Sequence, residues 1–366
     1  MPPKGKAKKP KKLKPFEKCQ EFMDGYNKLC ERYDVLPLDL IGEIYNELIA
    51  KGKSCRKLPQ LIQFAEVEVP GVQLRPLVEA FQIYDVKPKF LSFMNTNSGD
   101  EGFHMLASAL IPPLEINGVA FINNNIGPSG CRGFARGLVQ SVSLSVLELD
   151  YNHGMGDDGV CGLIHYGHCP TLLRLSLRCC SIGDKGAEAI GRWLALPTCN
   201  LQELILSGNE IGPDGITLFA NFLPQNKSLQ RIDLSDNMFG NNADALNALR
   251  EGIAECSTLN SVIITNNFEC PEGLDEKFFN LVQDKPLGEF EFTPKMDSLV
   301  FQNTRAVAMS NKKKIMKEAK KKKGGGEEKN IEEEEEEEKG EATEGNTTTT
   351  PGESEIPPTP EMSEAA

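Results

Sequence analysis

Residues Leu201 to Leu223 read LQELILSGNEIGPDGITLFANFL. Leu201, Leu204 and Leu206 alternate as in a short strand, and Asn209, Ile211, Gly212 and Gly215 follow. Leu218, Phe219, Phe222 and Leu223 then recur at helical spacing. A switch from period 2 to period 3.6 within about a dozen residues is the mark of a strand–turn–helix unit.

The unit repeats along the chain. With Leu204 as marker, the equivalent strand positions are Ile62, Leu91, Val119, Leu147, Leu175, Ile232 and Val262, spaced 28 to 30 residues apart. Phe290 lies 28 residues further and is expected to begin a terminal remnant. Asn209 is matched by Asn124, Asn152, Asn237 and Asn267, with Thr96 and Cys180 in its place twice. Gly212 is matched by Gly99, Gly127, Gly156, Gly183 and Gly240, and Gly215 by Gly102, Gly130, Gly159, Gly186 and Gly273. These glycines are expected where the chain turns without a Cβ. The first unit lacks both glycines, and His153-Gly154 mark a one-residue insertion in the fourth.

This pattern resembles the leucine-rich repeat of the ribonuclease-inhibitor type over roughly residues 62–286. The resemblance implies an α/β fold: a right-handed solenoid with a parallel sheet on the concave face and helices on the convex face. One unit cannot bury its own apolar face, so neighbours must stack. The asparagines are expected to bond backbone groups at the turns.

Charge divides the chain. Residues 1–15 carry seven lysines and no acid; residues 312–366 carry ten lysines and sixteen glutamates. The remaining 23 basic and 37 acidic residues leave an acidic body, which argues against nucleic acid as the main ligand. The expected organisation is a disordered basic arm over 1–15, a helical cap over 16–61 and a solenoid over 62–311 closed from about 287. A disordered Lys/Glu-rich tail is expected over 312–366. In the cap, helices are expected over Phe16–Tyr33 and Leu40–Lys51, with Asp39 as N-cap of the second. Phe290, Phe292, Leu299, Val300 and Phe301 are apolar enough to close the last strand edge. No apolar run reaches membrane-spanning length, and no signal peptide is expected. Eleven unpaired-looking cysteines suit reduced thiols and a cytoplasmic location, with the nucleus open to a lysine-rich arm.

Side chains between the buried strand positions should face the concave surface. In the early and middle units these are Ser92, Met94, Ala120, Ile122, Asn123, Glu148, Asp150 and Tyr151. Further on they are Ser176, Arg178, Cys179, Ile205, Ser207, Asp233, Ser235, Asp236, Ile263, Thr265 and Asn266. The candidate partner-binding set is Glu148, Asp150, Tyr151, Arg174, Arg178, Glu203, Arg231, Asp233 and Asp236. The competing reading is that these charges only solvate or pair with one another.

Other chemistry is weaker. Cys161, His165, His168 and Cys169 have zinc-ligand types at near-helical spacing. Yet Cys169 and Cys256 lie six residues before their markers and Cys199 five before its own, so a small thiol there is a packing feature of the unit. Cys179-Cys180 is a redox candidate with only Arg178 to lower a thiol pKa. The sequence contains no phosphate loop, nucleophile elbow or H-E-x-x-H. No cofactor is expected.

The combination therefore points to a non-enzymatic protein-binding scaffold, a monomer within a larger complex and away from membranes. General appearance is similar to leucine-rich proteins of cilia and the cytoskeleton. A solenoid with an acidic tail is also similar to Ran GTPase-activating proteins, a resemblance that implies an arginine in a loop of an early unit. Here the only arginine in that unit, Arg75, falls where a helix is expected. Ribonuclease inhibition by the concave face is a third reading, with about half the units needed to wrap a globular enzyme.

Overall fold

A computed structural model describes residues 13–166, 169–267, 271, 273–292 and 299–323. Among them, nine strands form one parallel sheet in chain order. These are β1 (Leu61–Ala65), β2 (Phe90–Met94), β3 (Gly118–Ile122), β4 (Val146–Glu148) and β5 (Arg174–Ser176), then β6 (Glu203–Ile205), β7 (Arg231–Asp233), β8 (Ser261–Ile264) and β9 (Glu289–Phe292). The helices are α1 (Pro15–Tyr33), α2 (Asp39–Ala50), α3 (Gly71–Ile83), α4 (Gly99–Leu106), α5 (Pro128–Leu138) and α6 (Gly156–Tyr166). They continue with α7 (Asp184–Leu194), α8 (Pro213–Phe222), α9 (Ala243–Glu255), α10 (Leu274–Asp284) and α11 (Leu299–Lys323). The chain is an α/β solenoid.

Every marker pairs with its neighbour: Ile62 with Leu91, Leu91 with Val119, and so on through Val262 with Phe290. Phe290 thus belongs to a full ninth strand rather than a remnant. All nine markers are at most 4% exposed. Two residues on, the core changes character. It holds Phe64, Phe93 and Phe121 in the first three units, then Leu149, Leu177, Leu206 and Leu234. Phe64 stacks on Phe93 at 5.1 Å, and Phe103 of α4 bridges Phe121 at 5.2 Å to Phe134 of α5 at 4.1 Å.

The asparagines form a buried ladder. Asn209 Oδ1 accepts from the backbone of Cys180 (2.9 Å) and Ile182 (3.1 Å), and its Nδ2 donates to Leu177 O and Leu206 O, both at 2.8 Å. Each such amide satisfies polar backbone that no water reaches. Cys180 keeps half of this role: its thiol donates to Leu149 O at 3.2 Å.

Two turn devices escape the repeat reading. The residue four after each marker is left-handed in eight units, with φ from 51° to 72°. The position is held by Glu66, Asn95, Asn123, Tyr151, Cys179, Gly208, Asp236 and Asn266. Asparagine and aspartate tolerate that region; tyrosine and cysteine do so at a cost. Aspartates at helix starts also staple units together. Asp100 accepts from Gly127 N (2.6 Å), Asp157 from Gly183 N (2.7 Å) and Gly186 N (2.9 Å), and Asp184 from Gly212 N (2.7 Å).

The role expected for the second glycine is corrected. A Cβ on Gly215 would lie 2.5 Å from Asp184 Cα, so this residue lets neighbouring helices approach rather than making a turn. Gly273 does not share that role; it precedes α10 with φ 80°. The first glycine is left-handed at Gly99 (φ 60°) and Gly156 (φ 53°) but not at Gly212 (φ −91°), the N-cap of α8.

In the cap, Phe22 of α1 packs on Tyr45 (4.5 Å) and Phe81 (5.2 Å), and Tyr26 Oη accepts from Leu38 N at 2.9 Å. Leu38, not Asp39, is the N-cap of α2; Asp39 lies inside the first turn, where its charge suits the helix dipole. At the other end Phe290 and Phe292 are buried, whereas the side chains of Leu299, Val300 and Phe301 lie outside the described residues. Helix α11 runs to Lys323, past the boundary expected at 312. No glycine or proline interrupts residues 299–323, and late lysines favour a helix C-terminus. The described residues up to Met316 form one compact unit, and Lys317–Lys323 belong to a second. Residues 1–12 and 324–366, including most of the expected arm and tail, lie outside the described residues.

Candidate functional site: the concave face

Parallel strands place equivalent residues about 4.8 Å apart, so each concave row is a line of facing side chains. From β5 to β9 the row just before the markers reads Arg174, Glu203, Arg231, Ser261 and Glu289, and Glu148 reaches it from the neighbouring row of β4. Arg174 lies 3.5 Å from Glu148 on one side and 3.5 Å from Glu203 on the other. Glu203 also meets Arg231 at 3.4 Å, and Arg231 pairs with Glu289. The result is one cross-strand chain, Glu148–Arg174–Glu203–Arg231–Glu289. Off this row, Arg178 lies 3.8 Å from Asp233, which sits in register with Ile205 and Ser176.

The remaining candidates are partly engaged. Asp150 Oδ1 accepts from Ser176 Oγ (2.6 Å) and Arg178 N (3.0 Å). Asp233 Oδ1 accepts from Ser235 N (3.0 Å) and Ser235 Oγ (2.6 Å), and Asp236 accepts from Asn266 at 3.0 Å. Tyr151 stands 44% exposed on its left-handed corner. The structure therefore brings the nominated charges together largely as partners of one another. Five expected inner-face residues are buried instead: Ser176, Ile205, Ser207, Asp233 and Ser235. Short side chains on the inside of the arc sit among long arginines and glutamates.

The first three units differ. Their concave positions are Leu61, Gln63, Ala65, Phe90, Ser92, Met94, Gly118, Ala120 and Ile122, none of them charged. Leu61 is 49% and Phe90 44% exposed. A Cβ at Gly118 would fall 2.5 Å from Phe90 Cδ1, so glycine leaves room for the phenyl ring to lie across β3. Leu61, Phe90, Ala120 and Val146 border a shallow depression of about 280 Å³, with Glu148 of β4 at its edge. Sequence reading named Met94 and Ile122 here but missed Leu61 and Phe90. The available signal was an apolar residue immediately before the marker, where later units carry Arg174, Glu203 and Arg231.

The alternative chemistries are placed as follows. Cys161 is half-buried, His165 is exposed and Cys169 is buried with its thiol near Leu144 O and Thr171. His168 lies outside the described residues, and no group of three or more metal-ligating side chains occurs among the described ones. Burial pushes the Cys180 thiol up to about 12 and outweighs Arg178 in raising that of Cys179, the opposite of what a reactive thiolate needs. Arg75 lies within α3, with its guanidinium 4.5 Å from the Tyr33 ring. No helix among the described residues is long and apolar enough to cross a membrane.

Comparison with known proteins fits this architecture. A family profile described as Leucine Rich repeat matches residues 168–191 and 199–220. The chain's repeating unit of strand, asparagine turn and helix is a leucine-rich repeat of the ribonuclease-inhibitor type. The chain is 24% identical over 219 residues to the pig (Sus scrofa) ribonuclease inhibitor, covering 58% of this chain and 47% of that protein. It is 28% identical over 163 residues to mouse (Mus musculus) Protein NLRC5, covering 44% of this chain and 8% of that protein. The chain thus spans less than half the length of these relatives. A solved chain of leiomodin-1 actin-binding site 2 overlays at 12% identity and TM-score 0.32, over 48% of this chain and 86% of that one, too low to argue from.

Proposed function

We propose that this protein is a non-enzymatic scaffold in the cytoplasm that binds a protein partner on the concave face of its repeat arc. The observation that supports this is the sheet itself. Nine parallel strands expose rows of side chains that the core does not use, on a frame fixed by a buried asparagine ladder. Such a surface binds by shape and complementary side chains, and solenoids commonly use it so. The finer reading is membership of a ciliary or cytoskeletal assembly, supported by the general build of basic arm, helical cap, solenoid and Lys/Glu tail.

The test is affinity purification of the full chain and of a Tyr151→Ala/Phe90→Ser double variant from ciliated cells, read by mass spectrometry. Axonemal or cytoskeletal proteins captured by the native chain and lost from the folded variant are the expected result. Recovery of a small GTPase whose hydrolysis the chain accelerates, with the effect lost in Arg75→Ala, would replace the scaffold reading by the GTPase-activating one. Capture that is the same for both chains would move binding off the concave face.

A further inference from the structure

We infer that binding on the concave face is centred on its uncharged first three units, and that the occupant is a protein segment with apolar side chains followed by carboxylates. This rests on the concave-face reading above and says where on that face the energy lies.

The charged half is poorly placed to supply binding energy. Arg174 and Arg231 each already meet two carboxylates, and Arg178 meets Asp233. A partner charge there must displace an existing partner and dehydrate both, which roughly cancels the gain. The first half has no such competition. Leu61 and Phe90 present exposed apolar surface on a rigid sheet, with Met94, Ala120 and Ile122 partly exposed beside them. Covering apolar surface of this kind is favourable without breaking any contact.

Charge around the patch selects the occupant. Residues 51–60 contain Lys51, Lys53, Arg56 and Lys57 and no acid. Lys51 pairs with Glu47, but no ion pair among the described residues engages Lys53, Arg56 or Lys57, and Arg56 and Lys57 are exposed. Lys57 precedes Leu61 by four residues, so the two are at most about 14 Å apart. At the opposite end of β1 stand Glu66, which accepts from Asn95, and Glu68. The patch therefore runs from cationic to anionic along the strand. An acidic group on the occupant is favoured beside Arg56 and Lys57 and disfavoured beside Glu66 and beside Glu148 at the β4 edge of the depression.

The probe is a library of random dodecapeptides displayed on phage, panned on the full chain, with the enriched sequences synthesised and titrated by fluorescence anisotropy. Enriched peptides are expected to combine Leu, Ile, Phe or Met with adjacent Asp or Glu. Phe90→Asp, and separately Leu61→Ser, should weaken them roughly tenfold or more, as loss of an apolar anchor does. Arg56→Glu/Lys57→Glu should weaken them too and flatten the dependence on salt. Tyr151→Ala/Arg178→Ala should leave affinity within about twofold, since those residues lie outside the patch. Thermal melts confirm that each variant is folded, and Phe90→Ser replaces Phe90→Asp should the latter unfold. Peptides that depend on Tyr151 and Arg178 but ignore Phe90 would overturn this inference while leaving concave binding standing. Peptides indifferent to every variant, or none enriched, would overturn both. Enrichment of lysine- or arginine-rich peptides would overturn the assigned occupant.

Discussion

The concave face has two halves built on one backbone. From β1 to β3 its rows are uncharged, over a core stacked with Phe64, Phe93 and Phe121. From β4 to β9 the rows carry Glu148, Asp150, Arg174, Arg178, Glu203, Arg231, Asp233, Glu289 and Glu291, over a core mainly of leucine. Marker register, parallel pairing and turn geometry do not change across the boundary. The difference lies entirely in side chains that the repeat does not constrain. A solenoid separates its structural positions from its presenting ones, so one half can satisfy its own charges while the other is left open.

The largest expected effect tests whether the two halves share one frame. Leu204→Ala in β6 and Leu91→Ala in β2 each remove a buried marker and leave a cavity. Each should cost about 2–5 kcal/mol in urea unfolding, similarly in both halves. A variant in either half that melts like the native chain would show that its strand is not packed in this register.

Next comes the ladder that holds the turns. Asn209→Ala should cost about 1–3 kcal/mol, because it takes the side-chain acceptor from the amides of Cys180 and Ile182 and the side-chain donor from Leu177 O, while Leu206 O keeps Asn237. The same measurement on Thr96→Ala, in the uncharged half, should give a smaller loss. The Thr96 hydroxyl donates to Asn124 Oδ1 and pairs with Ser98, but replaces none of the backbone acceptors that Asn209 serves. Equal losses would mean that the ladder is not what distinguishes the asparagine positions.

Periodicity made the frame readable because burial repeats with the chain: every marker and every asparagine position fell where the spacing put it. Three things were not readable from spacing. The left-handed corner is disguised by its variety, from Glu66 through Tyr151 to Gly208, since backbone geometry there is imposed by neighbouring units rather than by local preference. The aspartate staples join residues 26 to 29 apart, a separation that carries meaning only once the units are stacked. The concave charges could be nominated from alternation alone, but whether Arg174 reaches Glu203 depends on strand spacing and side-chain reach rather than on residue type. Leu61 and Phe90 were passed over for a related reason: apolar residues beside a strand marker look like core until the sheet shows which way they face.

A smaller effect separates the halves electrostatically. Glu203→Gln removes the carboxylate shared by Arg174 and Arg231, groups that are about two-fifths exposed. Discounted for solvent, each such pair is worth about 0.2–1 kcal/mol. The loss should therefore be about 0.4–2 kcal/mol for the two pairs at low salt and should shrink in 1 M sodium chloride, where the screening length falls to about 3 Å. A salt-independent loss would mean that Glu203 acts through packing instead.

The smallest expected effect is the most discriminating for the uncharged half. Leu61→Ser and Phe90→Ser alter side chains that are 49% and 44% exposed. If these residues belong to a presenting surface, unfolding free energies should shift by about 0.5 kcal/mol or less, because little of what they cover is lost from the core. If they are core residues left partly open, the cost should approach the 2–5 kcal/mol of the markers, and Phe90 would be the more severe because its ring also lies across Gly118. A near-zero change in stability for two large apolar residues, in the same unit pair where Leu91→Ala is costly, would show that the fold does not need them. Selection for their side chains would then have to come from something outside the chain.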